Sequence, residues 1–346
     1  MARIISEISP NDKRGQTAFD RLLKRSGIKR DNNLEYIAGI YDENYQLIAG
    51  GAFFGNTLRC LAVDNAYQGE GLMAPIVSHL VEQQMARGVR HLFLYTKPEN
   101  ATIFSALGFH EVARVDCHAL LMENLKNGFD RYLDKLRQLR TSGKTAALVM
   151  NCNPFTRGHR HLVERTASEN DTVHLFVVSE DLSLFPFADR WRLIQEGTAD
   201  LSNVHLHPTE SYMISSAVFP SYFLQDEASA IETQAKLDLA IFGQIAAAAG
   251  VTRRYVGEEP FSVVTGLYNQ TMHTSLPLRG IECTVVPRLE HNGMPISASR
   301  VRKLLQNGQI ADTKDLVPES TYRYFSSESG QRVIERIQAE ADVVHY

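Results

Sequence analysis

The sequence predicts an α/β protein with two domains, a mixed-sheet α+β domain followed by a domain built on a parallel sheet. The chain of 346 residues is long enough for both, because single domains usually have about 100 to 200 residues. In the first third of the chain, short apolar runs with turn signals precede the helical patterns, which is typical of an α+β domain. After residue 144, apolar strands alternate with helices, which favours a parallel sheet.

The composition is that of a folded protein without a general affinity for polyanions. Hydrophobic residues make up 44% of the chain and charged residues 22%, and 36 basic residues nearly balance 40 acidic ones. The chain begins without an apolar signal-peptide core, and no stretch approaches the roughly 18 apolar residues of a membrane span, so we expect a cytoplasmic protein. The four cysteines, Cys60, Cys117, Cys152 and Cys283, are widely spaced and form no CxxC pair. A disulfide framework or a cysteine zinc site is therefore not expected.

The first domain, residues 1–123, is predicted from apolar runs separated by turns. Residues 42–44 form a hairpin turn between two such runs, and apolar residues at helical spacing in residues 75–85 predict a helix. The predicted strands are residues 35–40, 46–54, 58–63, 91–95 and 114–121, and the predicted helices are residues 17–24, 75–85 and 100–106.

A linker helix is predicted over residues 124–144. Its apolar residues lie three and four positions apart and its polar face is basic, which predicts an amphipathic helix that ends in a flexible Thr-Ser-Gly break; the apolar set is Phe129, Tyr132, Leu133, Leu136 and Leu139. The second domain is then residues 145–346, and its last part, residues 320–346, is predicted to be a helical tail.

The second domain is predicted to contain five strands, residues 146–150, 172–178, 204–206, 254–256 and 283–286. The first of them leads into a loop at residues 151–159 and a helix at residues 161–167. In an open parallel sheet, the ligand crevice lies at the carboxyl ends of the strands, so this loop is a candidate binding site. Gly158 permits close approach of a phosphate, Thr156 and His159 can donate hydrogen bonds, and a helix N-terminus favours an anion.

Two segments of the second domain carry a resemblance to a known superfamily. Residues 156–159 (TRGH) resemble the (H/T)xGH motif of nucleotidylyltransferases, and residues 296–302 (ISASRVR) resemble their ISxSxxR signature. The resemblance implies a Rossmann-like domain that binds ATP, with Thr156, His159 and Arg302 as catalytic residues. It also implies nucleotide contacts from Asn153, Pro154, Phe155, Arg157, Gly158, Ile296, Ser297 and Ser299.

The first domain resembles Gcn5-related N-acetyltransferases. Residues 67–73 (YQGEGLM) resemble the pyrophosphate-binding turn of that family, and residues 100–109 resemble its later coenzyme-contacting segment. The implied binding residues for coenzyme A or a similar thiol arm are Val63, Gln68, Gly69, Gly71, Leu72, Asn100 and Phe104. Met73 replaces a small residue of the family, and Phe104 replaces the tyrosine that protonates the departing thiolate, a loss that suits delivery of acetyl to a thiol.

Together, the order of the two domains and residues 150–167 (MNCNPFTRGHRHLVERTA) resemble the citrate (pro-3S)-lyase ligase family. The resemblance implies use of ATP and acetate to acetylate the dephospho-coenzyme-A-derived thiol arm of the acyl carrier subunit of citrate lyase, in citrate fermentation, with release of AMP and diphosphate. Mg²⁺ is expected with the triphosphate, although no dedicated carboxylate cluster or other resident metal site is apparent. Neither nucleic acid nor a membrane is an expected partner.

Three other functions remain open from the sequence. One is an adenylyltransferase acting on nicotinamide mononucleotide or phosphopantetheine, with a regulatory first domain. Another is a ligase that acetylates the carrier of a different decarboxylase or lyase, and the third is an acetyl-CoA or nucleotide sensor. The residue that activates the thiol is not identified, and the first domain is either catalytic or a docking module. The histidine pairs at 159/161 and 205/207 lack nearby cysteine or carboxylate partners, so we interpret them as solvent-facing residues rather than metal ligands.

Overall fold

A computed structural model describes residues 4–213, 227–258 and 263–343. The chain divides into two compact units. The first contains the described residues up to Tyr132 together with residues 227–241, and the second contains the described residues from Leu133 onward apart from that helical segment. The predicted α/β fold class is confirmed, and the predicted domain limits after residues 123 and 144 remain a proposal.

The first unit is built on a mixed seven-stranded sheet with the order β1-β2-β3-β4-β5-β7-β6. Strands β4 and β5 run parallel, and the other neighbouring strands run antiparallel. The elements are β1 (Ile5–Glu7), α1 (Lys13–Arg25), β2 (Tyr36–Tyr41), β3 (Leu47–Phe54), β4 (Thr57–Val63), α2 (Met73–Ala86), β5 (Phe93–Thr96), α3 (Ala101–Ala106), β6 (His110–Val115), β7 (Ala119–Glu123) and α4 (Gly128–Arg137), whose residues from Leu133 onward belong to the second unit.

Three local predictions for this part of the chain were wrong. The single strand predicted at residues 114–121 is a hairpin of β6 and β7, because the chain reverses at Asp116, whose φ of +32° is unusual outside glycine. Strand β1 was missed because three residues are too short to show a periodic pattern. The linker helix is shorter than predicted, since α4 occupies Gly128–Arg137 and not residues 124–144.

The second unit is built on a five-stranded sheet with the order β10-β9-β8-β11-β12, in which all neighbours run parallel. The elements are β8 (Thr145–Met150), α5 (Arg157–Glu169), β9 (Thr172–Val177), α6 (Phe187–Gly197), β10 (Val204–Pro208), α7 (Glu227–Ala249), β11 (Arg253–Gly257), α8 (Val263–Ser275), β12 (Glu282–Val286), β13 (Glu290–His291), β14 (Met294–Pro295), α9 (Ala298–Gln306), α10 (Glu319–Phe325) and α11 (Glu328–Ala339). Of α7, residues 227–241 belong to the first unit and the remainder to the second. The five predicted strands are confirmed, whereas the predicted tail helix is two helices, α10 and α11.

A large apolar cluster of the second unit lies on one face of the parallel sheet. Alternate residues of β8 and β9, such as Leu148 and Leu175, are buried there, because successive strand residues point to opposite faces. Helices α5, α6, α9, α10 and α11 contribute buried apolar residues to the same cluster. None of the helices in the described ranges is both long enough and apolar enough to cross a membrane.

Candidate functional site

The loop that follows β8 is held by a buried arginine. The Arg190 side chain is fully buried, and its Nη1 donates to the carbonyl oxygens of Asn151 at 2.9 Å and Val178 at 2.7 Å. Its Nε donates to the carbonyl oxygen of Phe185 at 3.0 Å, and its Nη2 donates to that of Glu180. Arg190 therefore joins the carboxyl ends of β8 and β9 to the start of α6, and burial lowers its pKa.

Thr156 and His159 form a reciprocal cap at the start of α5. The Thr156 Oγ1 accepts a hydrogen bond from the His159 N–H at 3.3 Å, and the His159 Nδ1 accepts one from the Thr156 N–H at 3.1 Å. Because Nδ1 accepts, we assign the ring proton to Nε2. Burial, assisted by the positive charges of Arg288 and Arg302, lowers the His159 pKa to about 4. At neutral pH, His159 is thus an uncharged ring with an Nε2–H donor.

The second motif loop (residues 296–302) approaches the first motif loop (residues 151–159) through a backbone contact. Ser297 caps α9 by accepting from the Arg300 N–H at 3.2 Å, and its hydroxyl lies 3.0 Å from the Ser299 hydroxyl. A Cβ atom at Gly158 would lie 2.8 Å from the carbonyl oxygen of Ile296. Glycine is therefore required at position 158 for the two motif loops to meet at this distance.

Arg302 connects α9 to the first motif loop and to the C-terminal segment. Its Nη1 donates to the carbonyl oxygen of Asn153 at 2.5 Å, and its Nε donates to that of Val343 at 2.6 Å. The side chain is buried, and burial lowers its pKa to about 10. The structure thus brings Arg302 together with the loop that carries His159, and two of its donors stabilise the backbone of that neighbourhood.

Other predicted nucleotide-binding residues of the loop make contacts within the second unit. Asn153 precedes Pro154 in a cis peptide bond, and its Oδ1 accepts from the Phe185 N–H at 3.0 Å. The Phe155 ring lies in the hydrophobic core, and the Arg157 Nε donates to the carbonyl oxygen of Val317 at 3.1 Å. These side chains stabilise the loop and its contacts with the C-terminal helices.

Arg288 was not predicted from the sequence, and the structure places it beside the motif loops. It lies just beyond the carboxyl end of β12, and its Nε donates to the carbonyl oxygen of Glu258, just beyond the carboxyl end of β11, at 2.7 Å. The charge of Arg288 lowers the pKa of His159 more than the charge of Arg302 does. A basic residue directly after the last parallel strand is the sequence signal that could have identified it.

In the first unit, the predicted arm-binding turn is open on its glycine side. Gly69 and Gly71 have φ values of +85° and +74°, and a Cβ at either position would meet no atom within 4 Å. Helix α2 starts directly after this turn, and Leu72 at its cap position makes no side-chain cap. The turn therefore presents backbone N–H groups next to a helix N-terminus, an arrangement suited to anions.

The remaining side chains predicted in that set contact other parts of the first unit. Gln68 Nε2 donates to Asn65 Oδ1 at 2.9 Å, and Asn100 Nδ2 donates to Thr96 Oγ1 at 3.0 Å. Leu72 and Phe104 are buried in the core and Val63 packs against it. Gly69 and Gly71 are consequently the positions of this set at which backbone is accessible to a ligand.

No group of three or more histidine, cysteine or acidic side chains in the described part of the chain is arranged to hold a metal ion. Contrary to the interpretation of His205 and His207 as solvent-facing, His207 is buried, and its Nε2 lies 2.9 Å from Nδ1 of the buried His174 on the neighbouring strand. The two rings form a hydrogen-bonded pair. Burial lowers both pKa values, so both rings are neutral at neutral pH.

A mixed seven-stranded sheet is followed by a parallel sheet with two capped motif loops, which is the architecture expected from the resemblances to acetyltransferases and nucleotidylyltransferases. Residues 145–325 match the family model "Citrate lyase ligase C-terminal domain". The citrate (pro-3S)-lyase ligase of Klebsiella pneumoniae is 40% identical over 319 residues, which cover 90% of this chain and 93% of that protein. The chain belongs to the citrate (pro-3S)-lyase ligase family and is an enzyme.

Solved structures match separate parts of the chain. Ribosomal-protein-S18-alanine N-acetyltransferase from Escherichia coli is 21% identical, covers 35% of this chain and 92% of its own, and has a TM-score of 0.28. Pantoate-beta-alanine ligase from Francisella tularensis is 16% identical, covers 60% of this chain and 83% of its own, and has a TM-score of 0.35.

Proposed function

We propose that this enzyme activates acetate with ATP as acetyl-adenylate and acetylates the thiol of the prosthetic group on the acyl carrier subunit of citrate lyase, releasing AMP and diphosphate. Membership of the citrate (pro-3S)-lyase ligase family supports the reaction class and the protein substrate. The single observation that carries the assignment of the adenylating site is the contact between the two motif loops, where Gly158 meets the carbonyl group of Ile296 beside His159.

In the first step, an acetate oxygen attacks the α-phosphorus of ATP, and the bond from that phosphorus to the bridging oxygen of the β-phosphate breaks. Diphosphate leaves with the bonding electron pair. Acetate is ionised at neutral pH, so no general base is needed, and catalysis depends on alignment and on stabilisation of charge. The neutral His159, with Nε2–H as donor, suits stabilisation of the phosphate oxygens. Thr156 orients that ring, and Ser297 and Ser299 supply hydroxyl groups at the start of α9.

In the second step, the thiolate of the carrier's arm attacks the acetyl carbonyl carbon, and the bond to the AMP oxygen breaks. The thiol proton goes to solvent or to a base that we do not assign. The first unit would hold the arm through the backbone of Gly69 and Gly71, because the arm contains the pantetheine and phosphate groups that acetyltransferase-like turns bind. Phe104 carries no hydroxyl, and a reaction that delivers acetyl to a thiol needs no acid there.

The cofactor proposal is ATP with Mg²⁺ that arrives bound to the triphosphate. Mg²⁺ commonly retains waters and binds through substrate phosphates with one or two carboxylates, so a protein cage is not required. The proposed domain roles follow the predicted limits, with residues 1–123 for the arm and residues 145–346 for ATP and acetate.

The test is incubation of the enzyme with ATP, acetate and the deacetylated carrier subunit, followed by intact-mass measurement and nucleotide analysis. We expect the carrier to gain one acetyl group, with one free AMP formed per acetyl group. A dinucleotide product in which AMP is retained would instead identify an adenylyltransferase. Unchanged ATP in the presence of the carrier and acetate would identify a sensor.

A further inference from the structure

The position of Arg302 makes it a support for the motif loops. Its side chain is only 3% exposed, and both its Nε and its Nη1 donate to backbone carbonyl groups, those of Val343 and Asn153. Substitution of such a residue would displace the backbone of the loop that carries Thr156 and His159. Arg302 therefore positions the loop through these two donors, and a second side-chain cation nearby would add positive charge at the triphosphate itself.

Arg288 lies at the edge of the sheet where that cation would act. Strands β8, β11 and β12 are parallel neighbours, so the segments following them share one edge, and the first motif loop follows β8. The hydrogen bond from Arg288 Nε to the Glu258 carbonyl anchors the guanidinium across the ends of β11 and β12. The side chain is half-buried, in contrast to Arg302.

A chain of backbone contacts connects Arg288 to His159. The carbonyl oxygen of Leu289, the next residue, accepts from the Ile296 N–H at 2.9 Å. The carbonyl of Ile296 in turn approaches Gly158 so closely that a side chain there would clash. Arg288 is therefore held next to the junction of the two motif loops, and the electrostatic effect of its charge on the His159 ring agrees with this placement.

We propose that Arg288 is a catalytic residue that binds the β- and γ-phosphates of ATP and neutralises the charge that diphosphate acquires on leaving. This inference rests on the proposed function. An arginine can donate two parallel hydrogen bonds to phosphate oxygens, and such charge-assisted bonds are about twice as strong as neutral ones. Arg288 makes no covalent bond and transfers no proton in this step; it stabilises the negative charge that moves onto the departing diphosphate.

The test is calorimetric titration of the full chain, with Mg²⁺ present, with ATP, inorganic diphosphate and AMP. In the Arg288→Gln variant, we expect ATP and diphosphate to bind about 10- to 100-fold more weakly, since a charged hydrogen-bond donor is lost. AMP lacks the β- and γ-phosphates, so its affinity should change by less than about twofold. Arg288→Lys, which retains the charge, should recover part of the ATP affinity.

Two variants provide matched controls. Arg253→Gln removes an arginine that pairs with Glu282 at the amino end of β11, the opposite edge of the same sheet, and should leave all three affinities unchanged. Arg302→Gln should weaken the binding of ATP and of AMP by similar factors and lower the melting temperature. The reason is that it disturbs the backbone of the loop proposed to contact the whole nucleotide.

Each remaining outcome decides one question. Wild-type affinity for ATP and diphosphate in Arg288→Gln would overturn the inference, and so would an equal loss of AMP and ATP affinity. A differential loss in this variant, combined with a wild-type enzyme that shows no acetate-dependent exchange of diphosphate into ATP, would retain the phosphate site and overturn the proposed function. A wild type that binds neither ATP nor diphosphate would overturn both.

Discussion

Nη1 of Arg302 donates a hydrogen bond to the carbonyl oxygen of Asn153 at 2.5 Å and so joins two segments that lie 149 positions apart in the chain. One segment precedes the first motif, and the other belongs to the helix of the second. This contact and the close approach of Gly158 to Ile296 bring the two motif loops together in a single site. Each motif alone is too common in proteins to indicate a function.

Replacement of His159 tests the adenylating site. His159→Ala should reduce acetate-dependent exchange of diphosphate into ATP by about 10²- to 10³-fold, the usual effect of losing one donor to a transition-state oxygen. It also removes the acceptor of the Thr156 N–H, so a stability loss of about 1 kcal/mol is expected. His159→Gln preserves a capping-box residue, and should therefore lose exchange while keeping the wild-type melting temperature. Undiminished exchange in either folded variant would reject the assignment.

The contact at Gly158 predicts a steric effect. In Gly158→Ala, the new Cβ would lie 2.8 Å from the Ile296 carbonyl oxygen, so the two motif loops must separate. We expect a loss of about 1–3 kcal/mol in the free energy of unfolding and weaker ATP binding. Gly257→Ala is the control, because its Cβ would make an ordinary 3.6 Å contact with Leu162. Denaturant unfolding and ATP titration of both variants measure the difference, and equal behaviour of the two would contradict the close approach.

The proposed division of labour between the units predicts a selective defect. Gly71 has a φ of +74°, which a β-branched residue scarcely adopts, so Gly71→Val should distort the arm-binding turn. Acetylation of the carrier thiol should fall much more than acetate-dependent diphosphate exchange. Gly55→Val introduces the same kind of strain, at a φ of +53°, in the turn between β3 and β4, and should spare the ratio of the two activities. Equal loss of both activities in Gly71→Val would contradict separate sites.

The buried His174–His207 pair predicts a pH dependence of stability. Burial, with a smaller effect of nearby histidine charge, lowers the pKa values of His174 and His207 to about 4 and about 3, from an ordinary value of 6.5. The neighbouring charge is that of His205 for His174, and those of His174 and His205 for His207. Between pH 6.5 and pH 4, the unfolded chain therefore binds more protons than the folded one. The contribution of the neutral pair to the free energy of unfolding is complete above pH 6.5. It is lost as the pH falls toward 4, so the free energy of unfolding should decrease over that interval.

Chemical denaturation at a series of pH values measures this slope. The double variant His174→Phe/His207→Phe removes both titrating groups without leaving a buried unpaired ring nitrogen from either, and its slope should be smaller than that of the wild type. His161→Gln is a matched control, since that histidine lies outside the pair and should leave the slope unchanged. An identical slope in the double variant and the wild type would show that other groups cause the pH dependence.

The sequence by itself determined strands β2 to β5 of the first sheet, the five strands of the second sheet and the local chemistry of the motif loops. The five parallel strands were predictable because continuous apolar runs are a local signal, and the Thr156–His159 cap was implicit in residues three positions apart. The same local view failed at Asp116, where the turn residue is not glycine, and in the tail, where two helices replace one.

Only the tertiary structure decided how distant side chains are used. Arg302 donates to the Asn153 carbonyl, Arg288 lies beside the motif loops, and His207 is buried against His174. Each contact depends on which strands become neighbours and in what register, and neither is expressed in the residues next to these positions. The physical reason is that hydrophobic periodicity specifies which face of an element is buried, whereas the partner of a buried polar group is set by elements that come together from far along the chain.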